Sequence, residues 1–241
     1  MPSKSAQSTV TSARKLEQAR SGTARAALLG VSDGLVTNVS LILGVAGAGA
    51  SAGVVQVAGL ASLIAGACSM AVGEYISMRG QVELLESVLE AEEAELKNNP
   101  EHALASLHDI MVEDGVSDAT AAAASAEVAK NPSKAMAMYA RGRLGVNPNE
   151  LGSVWGSAGS SFVMFSVGAI VPLIPWFFMQ GRAAETVSLG VSVVGALIIG
   201  GYLGYTTHGR IMRSALRQLI VLILAAGITY AIGRVFGVNI A

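Results

Sequence analysis

Charged residues are scarce in this sequence. They make up 14% of its 241 residues, whereas an ordinary soluble domain has about 25%. Hydrophobic residues make up 52%, and the mean hydropathy is +0.54. Such a balance argues against an ordinary soluble globular domain and favours a chain that lies mostly in a lipid bilayer.

Cysteine is nearly absent too, and the single Cys68 excludes an intrachain disulfide and a zinc site built from several cysteines. The chain also lacks a Walker A loop and a His-Glu-x-x-His pair. We therefore expect no enzymatic activity and no permanently bound cofactor. Since a nucleotide site is missing, any transport would have to run on a gradient.

Uncharged stretches long enough to cross a bilayer recur along the chain. A spanning helix needs about 20 apolar residues, and residues 34–73 carry no charge. The glycine-rich piece Gly44–Gly53 is a natural turn that divides this run. We predict spans at about 27–48, 54–78, 155–179, 186–207 and 214–235.

The charges concentrate between the second and third spans. From Arg79 to Ser153 there are thirteen acidic and six basic residues, a net charge of −7. The repeat of apolar residues predicts that the helix of span two continues to Leu96. The breaker Asn98-Asn99-Pro100 ends it. Further helices are predicted at about 101–113, 117–130 and 133–143. The predicted fold is all-α, a polytopic membrane protein with five transmembrane helices and a small helical cytoplasmic domain inserted between helices two and three.

The predicted parts of the chain have these bounds: a cytoplasmic N-terminal segment, 1–25; transmembrane helices one and two, 26–79; the acidic domain, 80–153; and transmembrane helices three to five, 154–241. Lysine and arginine set the orientation, because basic connections stay in the cytoplasm. The N-terminal segment and the connection near Arg210 and Arg213 are both basic, which predicts that the N-terminus and the acidic domain are cytoplasmic. An acidic domain attracts cations, and we expect no nucleic-acid partner.

Two acidic residues fall inside the predicted spans, Asp33 and Glu74, and ionisable groups at such positions are costly and usually functional. Met70 shares a helix face with Glu74 because it precedes it by four residues. A carboxylate beside a thioether suits a divalent transition metal better than Mg²⁺ or Ca²⁺. The alternative is that Asp33 caps a helix and that Met70 is packing material.

A second candidate metal site lies in the acidic domain. Glu92 and Glu95 are three residues apart on one helix and could bind a metal if another helix supplied partners. The residues that could do so are His102, His108, Asp109 and Glu113. The alternative is that this stripe is simply a solvated helix face.

Four pieces of sequence together resemble the vacuolar iron transporter family, in its bacterial branch. They are Gly-Val-Ser-Asp-Gly-Leu (30–35), Ala-Gly-Ala-Cys-Ser-Met-Ala-Val-Gly-Glu-Tyr-Ile-Ser (65–77), Val-Pro-Leu-Ile-Pro-Trp-Phe (171–177) and Ser-Ala-Leu-Arg-Gln-Leu (214–219). The resemblance extends from Arg25 to Gly237. It implies a homodimer of five-span subunits in the bacterial inner membrane, which exports Fe²⁺, and often Mn²⁺, from the cytoplasm in exchange for protons.

The resemblance also assigns roles to residues. Asp33 and Met70 match the family's residues in the first two spans, Glu74 belongs to its Gly-Glu-Tyr pattern, and Glu92 and Glu95 match its glutamates on the first cytoplasmic helix. Arg143 stands where the family has a carboxylate, so the cytoplasmic metal site departs from the pattern. Two alternatives therefore stay open: a non-transporting membrane metal sensor or scaffold, and an intramembrane hydrolase.

Overall fold

The computed structural model describes residues 22–143, 153–207 and 209–240. Within these residues the chain is helical and contains no strand. The elements are α1 (Gly22–Gly47), α2 (Ala52–Asn98), α3 (Pro100–Glu113), α4 (Asp118–Ala129), α5 (Pro132–Arg143), α6 (Val154–Leu173), a 3-10 turn (Ile174–Phe177), α7 (Gly181–Thr206) and α8 (Ile211–Ile240). Glu150 and His208 lie outside the described residues, as does most of the basic N-terminal segment.

Five of the described helices contain segments long and apolar enough to cross a membrane. These segments are Thr23–Gly47, Ala52–Glu95, Val154–Phe177, Gly181–Thr206 and Ile211–Gly237. The predicted all-α, polytopic class is thereby confirmed. The chain divides into a membrane unit, Met1–Ser77 with Ser153–Ala241, and an acidic unit, Met78–Gly152, and the boundary falls inside the continuous helix α2.

Several helix ends differ from the sequence prediction. The turn expected over Gly44–Gly53 is shorter, because α1 continues to Gly47 and only residues 48–51 separate it from α2. Gly49 supplies the turn with a φ of +82°, which glycine adopts without steric cost. The third span is not one helix to residue 179. It ends at Leu173 and tightens into the 3-10 turn, where Pro175 has no N–H to donate.

Helix α1 is the centre of the membrane unit and packs against α6, α7 and α8. The contacts with α6 are close because glycines meet backbone: a Cβ on Gly34 would collide with the carbonyl of Phe165, and one on Gly168 with the carbonyl of Val31. A Cβ on Gly233 of α8 would collide with the carbonyl of Gly44 in the same way. Small residues allow such backbone approach between helices in lipid.

Buried and half-buried polar side chains cross-link the same helices. Asn38 donates from Nδ2 to the carbonyl of Ala169 at 2.6 Å. Gln218 donates from Nε2 to the hydroxyl of Ser32, also at 2.6 Å. Because lipid offers no alternative partner, these hydrogen bonds help to define which helix faces meet.

Helix α2 meets the rest of the membrane unit through side chains. The ring of Phe165 lies against Gly66, and a Leu173 methyl group lies against Gly59. Gln56 donates from Nε2 to the carbonyl of Trp176 at 2.6 Å. These contacts leave a broad face of α2 exposed, with Val57, Ile64 and other large apolar side chains on it.

The acidic unit has a small core of its own. Leu107, Ile110 and Met111 of α3 are buried, together with Ala121 of α4 and Ala140 of α5. A glycine again permits the closest contact, since a Cβ on Gly142 would press on the side chain of Ile110.

A matched pair of glycine substitutions in α6 tests the packing of α1. Gly168→Ala should lower the unfolding temperature in detergent, because the added methyl group overpacks the α1 contact at a cost of about 1–3 kcal/mol. Gly159→Ala is the control, since nothing lies within 4 Å of a Cβ there, and it should be neutral or slightly stabilising. Equal unfolding temperatures for the two variants would contradict the packing described.

Candidate metal site

One face of α1 is left uncovered by the membrane unit. The exposed residues between Thr23 and Val39 recur every fourth position, whereas the other positions are buried or half-buried. These exposed residues, here called the α1 stripe, are Arg25, Leu29, Asp33 and Thr37. A spacing of four places them in one row along the helix. Three of the four are polar.

Asp33 lies in the interior of α1, eleven residues after Gly22, and is part of the helix. The alternative that it caps a helix is therefore wrong. Thr37 donates from Oγ1 to Asp33 Oδ1 at 3.3 Å, one turn farther along the stripe. The carboxylate has a second oxygen, so it can accept a cation or a proton without first losing this hydrogen bond.

Glu74 faces the beginning of α1. Its Oε1 lies 3.5 Å from the guanidinium of Arg25, and its side chain is 12% exposed. Met70 lies one turn before Glu74 in α2 and packs against the cluster formed by Ala67, Phe165 and Ala169. Packing is the alternative left open for Met70, and its role as a metal ligand stays a prediction.

The way α1 and α2 are aligned gives the distances between these side chains along the helix axes. Arg25 lies opposite Glu74 and Ile42 opposite Gly59, so the two helices run antiparallel. At 1.5 Å per residue, Met70 is about 6 Å and Asp33 about 12 Å from the level of the Arg25–Glu74 pair. Phe165 separates the helices near Asp33, because its ring contacts α2 while its backbone contacts α1.

These residues do not form a metal cage in the described parts of the chain. Across residues 22–143, 153–207 and 209–240, no group of three or more His, Cys, Asp or Glu side chains is close enough to hold a metal ion. What the membrane unit offers instead is a carboxylate on an open polar stripe and a second carboxylate bound to an arginine.

In the acidic unit, Glu92 is engaged by a tyrosine. Burial raises the pKa of Tyr139, and a hydrogen bond to Glu92 together with the charge of that carboxylate raises this pKa further. The charge of Glu95 has a weaker effect in the same direction. The candidate pair Glu92 and Glu95 thus lies beside Tyr139 of α5.

Two carboxylates of α3, those of Asp109 and Glu113, have basic side chains of the same chain as partners. Arg143 lies 3.3 Å from Oε1 of Glu113 and 3.9 Å from Oδ2 of Asp109. His108 lies 3.4 Å from Asp109 and 3.1 Å from Asp118. Of the side chains that were expected to complete a metal site with Glu92 and Glu95, His108, Asp109 and Glu113 thus have other partners. His102 is exposed.

Sequence reasoning overlooked two features. It placed Glu185 outside the fourth span, but α7 begins at Gly181, so Glu185 is one turn inside and lines a groove with Leu189 and Tyr230. It also missed that Arg25 belongs to the α1 stripe. The sequence shows that Arg25, Asp33 and Thr37 are separated by multiples of four residues. Only the packing shows that the helix face they share is uncovered.

Known proteins resemble this chain over most of its length. The profile of the VIT family matches residues 24–234. Vacuolar iron transporter 1 of Eucalyptus grandis is 27% identical over 208 residues, which cover 86% of this chain and 84% of the relative. Vacuolar iron transporter homolog 2 of Oryza sativa subsp. japonica is 31% identical over 92% of this chain and 98% of its own.

A relative from outside the plants is also similar. The vacuolar iron transporter of Acanthamoeba castellanii is 32% identical over 216 residues, which cover 88% of this chain and 78% of the relative. Since these relatives come from plants and an amoeba, the bacterial branch stays a prediction.

The histidine of the acidic unit yields a pH prediction. The hydrogen bond to Asp109 raises the pKa of His108 above its ordinary value of 6.5, and the nearby Asp118 adds to this in spite of partial desolvation. The interaction should therefore stabilise the fold fully below pH 6.5 and be lost as the pH rises through the raised pKa. In an NMR titration of the full chain, Asp118→Asn should lower the His108 pKa, whereas Asp114→Asn, at the end of α3, should leave it unchanged. An unaltered pKa in Asp118→Asn would refute this assignment.

Proposed function

Because the chain belongs to the VIT family, we propose that it exports divalent iron or manganese from the cytoplasm and moves protons in the opposite direction. The α1 stripe is the observation that carries this proposal. The names of the relatives support iron as the cargo, and the resemblance of the sequence motifs supports manganese and proton exchange.

A carboxylate in the middle of a spanning helix needs an explanation. On insertion scales an aspartate at the helix centre costs about 2.5–3.5 kcal/mol in lipid. Asp33 is nevertheless on the uncovered face of α1, in line with Arg25 and Thr37. A row of this kind is suited to line an aqueous pathway. Asp33 would bind metal and proton in alternation, since one carboxylate does not stabilise both at once.

A second copy of the chain would cover the stripe, and we propose a homodimer with the pathway between the subunits. Small residues alone do not support this, because Gly44, Gly47, Gly59 and Gly66 already pack inside the subunit. The support comes from the open polar face and from the incomplete ligand set of one subunit. Two stripes facing each other would bring two Asp33 carboxylates to one pathway and would complete what one subunit lacks.

The remaining ligands would act in sequence. Glu92 and Glu95 would capture cations on the cytoplasmic side, Glu74 would bind them near the beginning of α1, and Met70 would favour transition metals over Mg²⁺ and Ca²⁺. The orientation, with the N-terminus and the acidic unit in the cytoplasm of a bacterial cell, is part of this proposal and follows from the basic N-terminal segment.

A second candidate function is a non-transporting membrane metal sensor or scaffold. The ion pairs of Arg143 with Glu113 and Asp109 favour it, because a fixed guanidinium occupies oxygens that a metal would need. Flux of Mn²⁺ or Fe²⁺ into sealed proteoliposomes distinguishes the two functions. Transport by the purified wild-type chain supports export, and a folded chain that binds metal without flux supports the sensor.

Asp33→Ala is the sharpest test of the pathway. It should abolish Mn²⁺ flux in proteoliposomes while the unfolding temperature stays at or above that of the wild type, because the change removes a costly charge. Glu185→Gln is the matched control, since Glu185 is also an acidic residue in a span but lies away from the stripe, and it should transport normally. Normal flux through folded Asp33→Ala protein would disprove the proposed role.

The acidic unit should contribute less. Glu92→Ala combined with Glu95→Ala should slow flux by roughly two- to fivefold without stopping it, since exposed carboxylate interactions contribute at most about 1 kcal/mol. Glu86→Ala with Glu90→Ala, two exposed glutamates of the same helix, is the control and should leave the rate unchanged. Complete loss of flux in the first double variant would mean that the acidic unit is indispensable.

A further inference from the structure

The pair formed by Arg25 and Glu74 lies at one end of the α1 stripe. Arg25 is the first residue of the stripe, and its guanidinium lies 3.5 Å from Glu74 on α2. Two helical turns farther along the same row is Asp33. A cation that binds Glu74 therefore lies at the level of Arg25, about two helical turns from Asp33.

The backbone on both sides of this pair is held by α6. Ser160 donates from its hydroxyl to the carbonyl of Thr23 at 3.1 Å, and the hydroxyls of Thr23 and Ser157 lie 3.4 Å apart. On α2, the ring of Tyr75 lies 4.9 Å from that of Trp155, measured between centroids. The neighbours of Arg25 and Glu74 are thus anchored, which leaves the two side chains as the parts that can rearrange.

The two partners differ in burial, and this decides which one moves. The side chain of Glu74 is 12% exposed, whereas that of Arg25 is 55% exposed. An uncompensated carboxylate at a nearly buried position is costly. The Arg25 side chain, by contrast, is more than half exposed, so it loses few contacts when it turns away from Glu74. The Glu74 side chain therefore stays in place and requires a cation beside it. Arg25 is the partner that another cation can replace.

From this asymmetry we propose that Arg25 is the resident counter-ion of Glu74 and that the transported divalent cation displaces it. The proposal rests on the proposed transport function and adds an element of selectivity to it. A guanidinium carries one positive charge and several donors, so it competes well with Na⁺ and K⁺ for a carboxylate. A divalent transition metal, with twice the charge, displaces it. Arg25 thus sets the affinity at Glu74 and keeps monovalent cations from occupying it.

The test is the concentration dependence of Mn²⁺ flux into proteoliposomes for a set of charge variants. Arg25→Gln should lower the KM for Mn²⁺ by about three- to fivefold, because a partly exposed ion pair contributes up to about 1 kcal/mol. It should also make flux sensitive to K⁺ at concentrations that leave the wild type unaffected. Arg25→Ala provides a second neutral side chain, and Arg25→Lys, which retains the charge, should stay close to the wild type in both measurements.

Two controls separate competition from a purely structural role. Arg79 pairs with Glu83 at 2.7 Å on the same helix α2, and Arg79→Gln should leave the KM unchanged. In the Glu74→Gln background, Arg25→Gln should have no further effect on the KM, because the carboxylate for which it competes is gone. A structural contribution of Arg25 would persist in that background.

Two results would overturn the proposal. The first is wild-type flux with an unchanged or raised KM in both neutral variants, which would refute the counter-ion role and leave the transport proposal intact. The second is a folded wild-type chain without any flux, which would refute the transport proposal and this one with it. A lower KM in the neutral variants, with normal behaviour of Arg25→Lys, supports the counter-ion.

Discussion

The close approach of α1 to α6 and α8 is the constraint on which the rest of the membrane unit depends. It exists because glycines meet backbone there, as at Gly34 and Gly168 between α1 and α6, and at Gly233 against Gly44 between α8 and α1. With those sides covered, and with Asn38 hydrogen-bonded to α6, α1 has one face left. The polar residues that lipid would exclude lie on that face. The location of the candidate pathway is therefore a consequence of glycine packing on the opposite sides of α1.

In each unit an arginine forms an ion pair with a glutamate, Arg25 with Glu74 and Arg143 with Glu113, but the physical consequences differ. Glu74 is nearly buried, so its charge must always be compensated, and exchange of one cation for another is the process that its surroundings favour. Glu113 is 65% exposed, where water already solvates the carboxylate and an ion pair contributes little. The pair of Arg143 therefore does little for stability, and its main effect is on the cations that the α3 carboxylates can accept.

Much of the fold could be predicted from the sequence, because hydropathy and breakers act locally. The five spans follow from long uncharged runs, and the extension of α2 past Glu83 follows from its apolar repeat and ends at the predicted breaker, Asn98-Asn99-Pro100. The errors occurred where packing overrides local preference. Gly44 and Gly47 look like turn residues, yet both are helical. They lie at the contact of α1 with α8, where the absence of a side chain lets the two backbones come close. Glu185 looks too polar for a span, yet it lies in the first turns of α7 beside Tyr230.

For the candidate site, too, some features could be predicted from the sequence and others depend on packing. The sequence by itself determined which residues are chemically unusual: a carboxylate amid apolar residues is conspicuous wherever the helix lies, and so Asp33, Glu74, Glu92 and Glu95 could be named from composition, spacing and resemblance. Only the tertiary structure decided what those side chains face. Asp33 is exposed, Glu74 is paired with Arg25, and Glu92 lies close enough to Tyr139 to raise the pKa of its phenol. The physical reason is that exposure and partners depend on contacts between residues tens of positions apart in the chain, and these arise only when the helices pack.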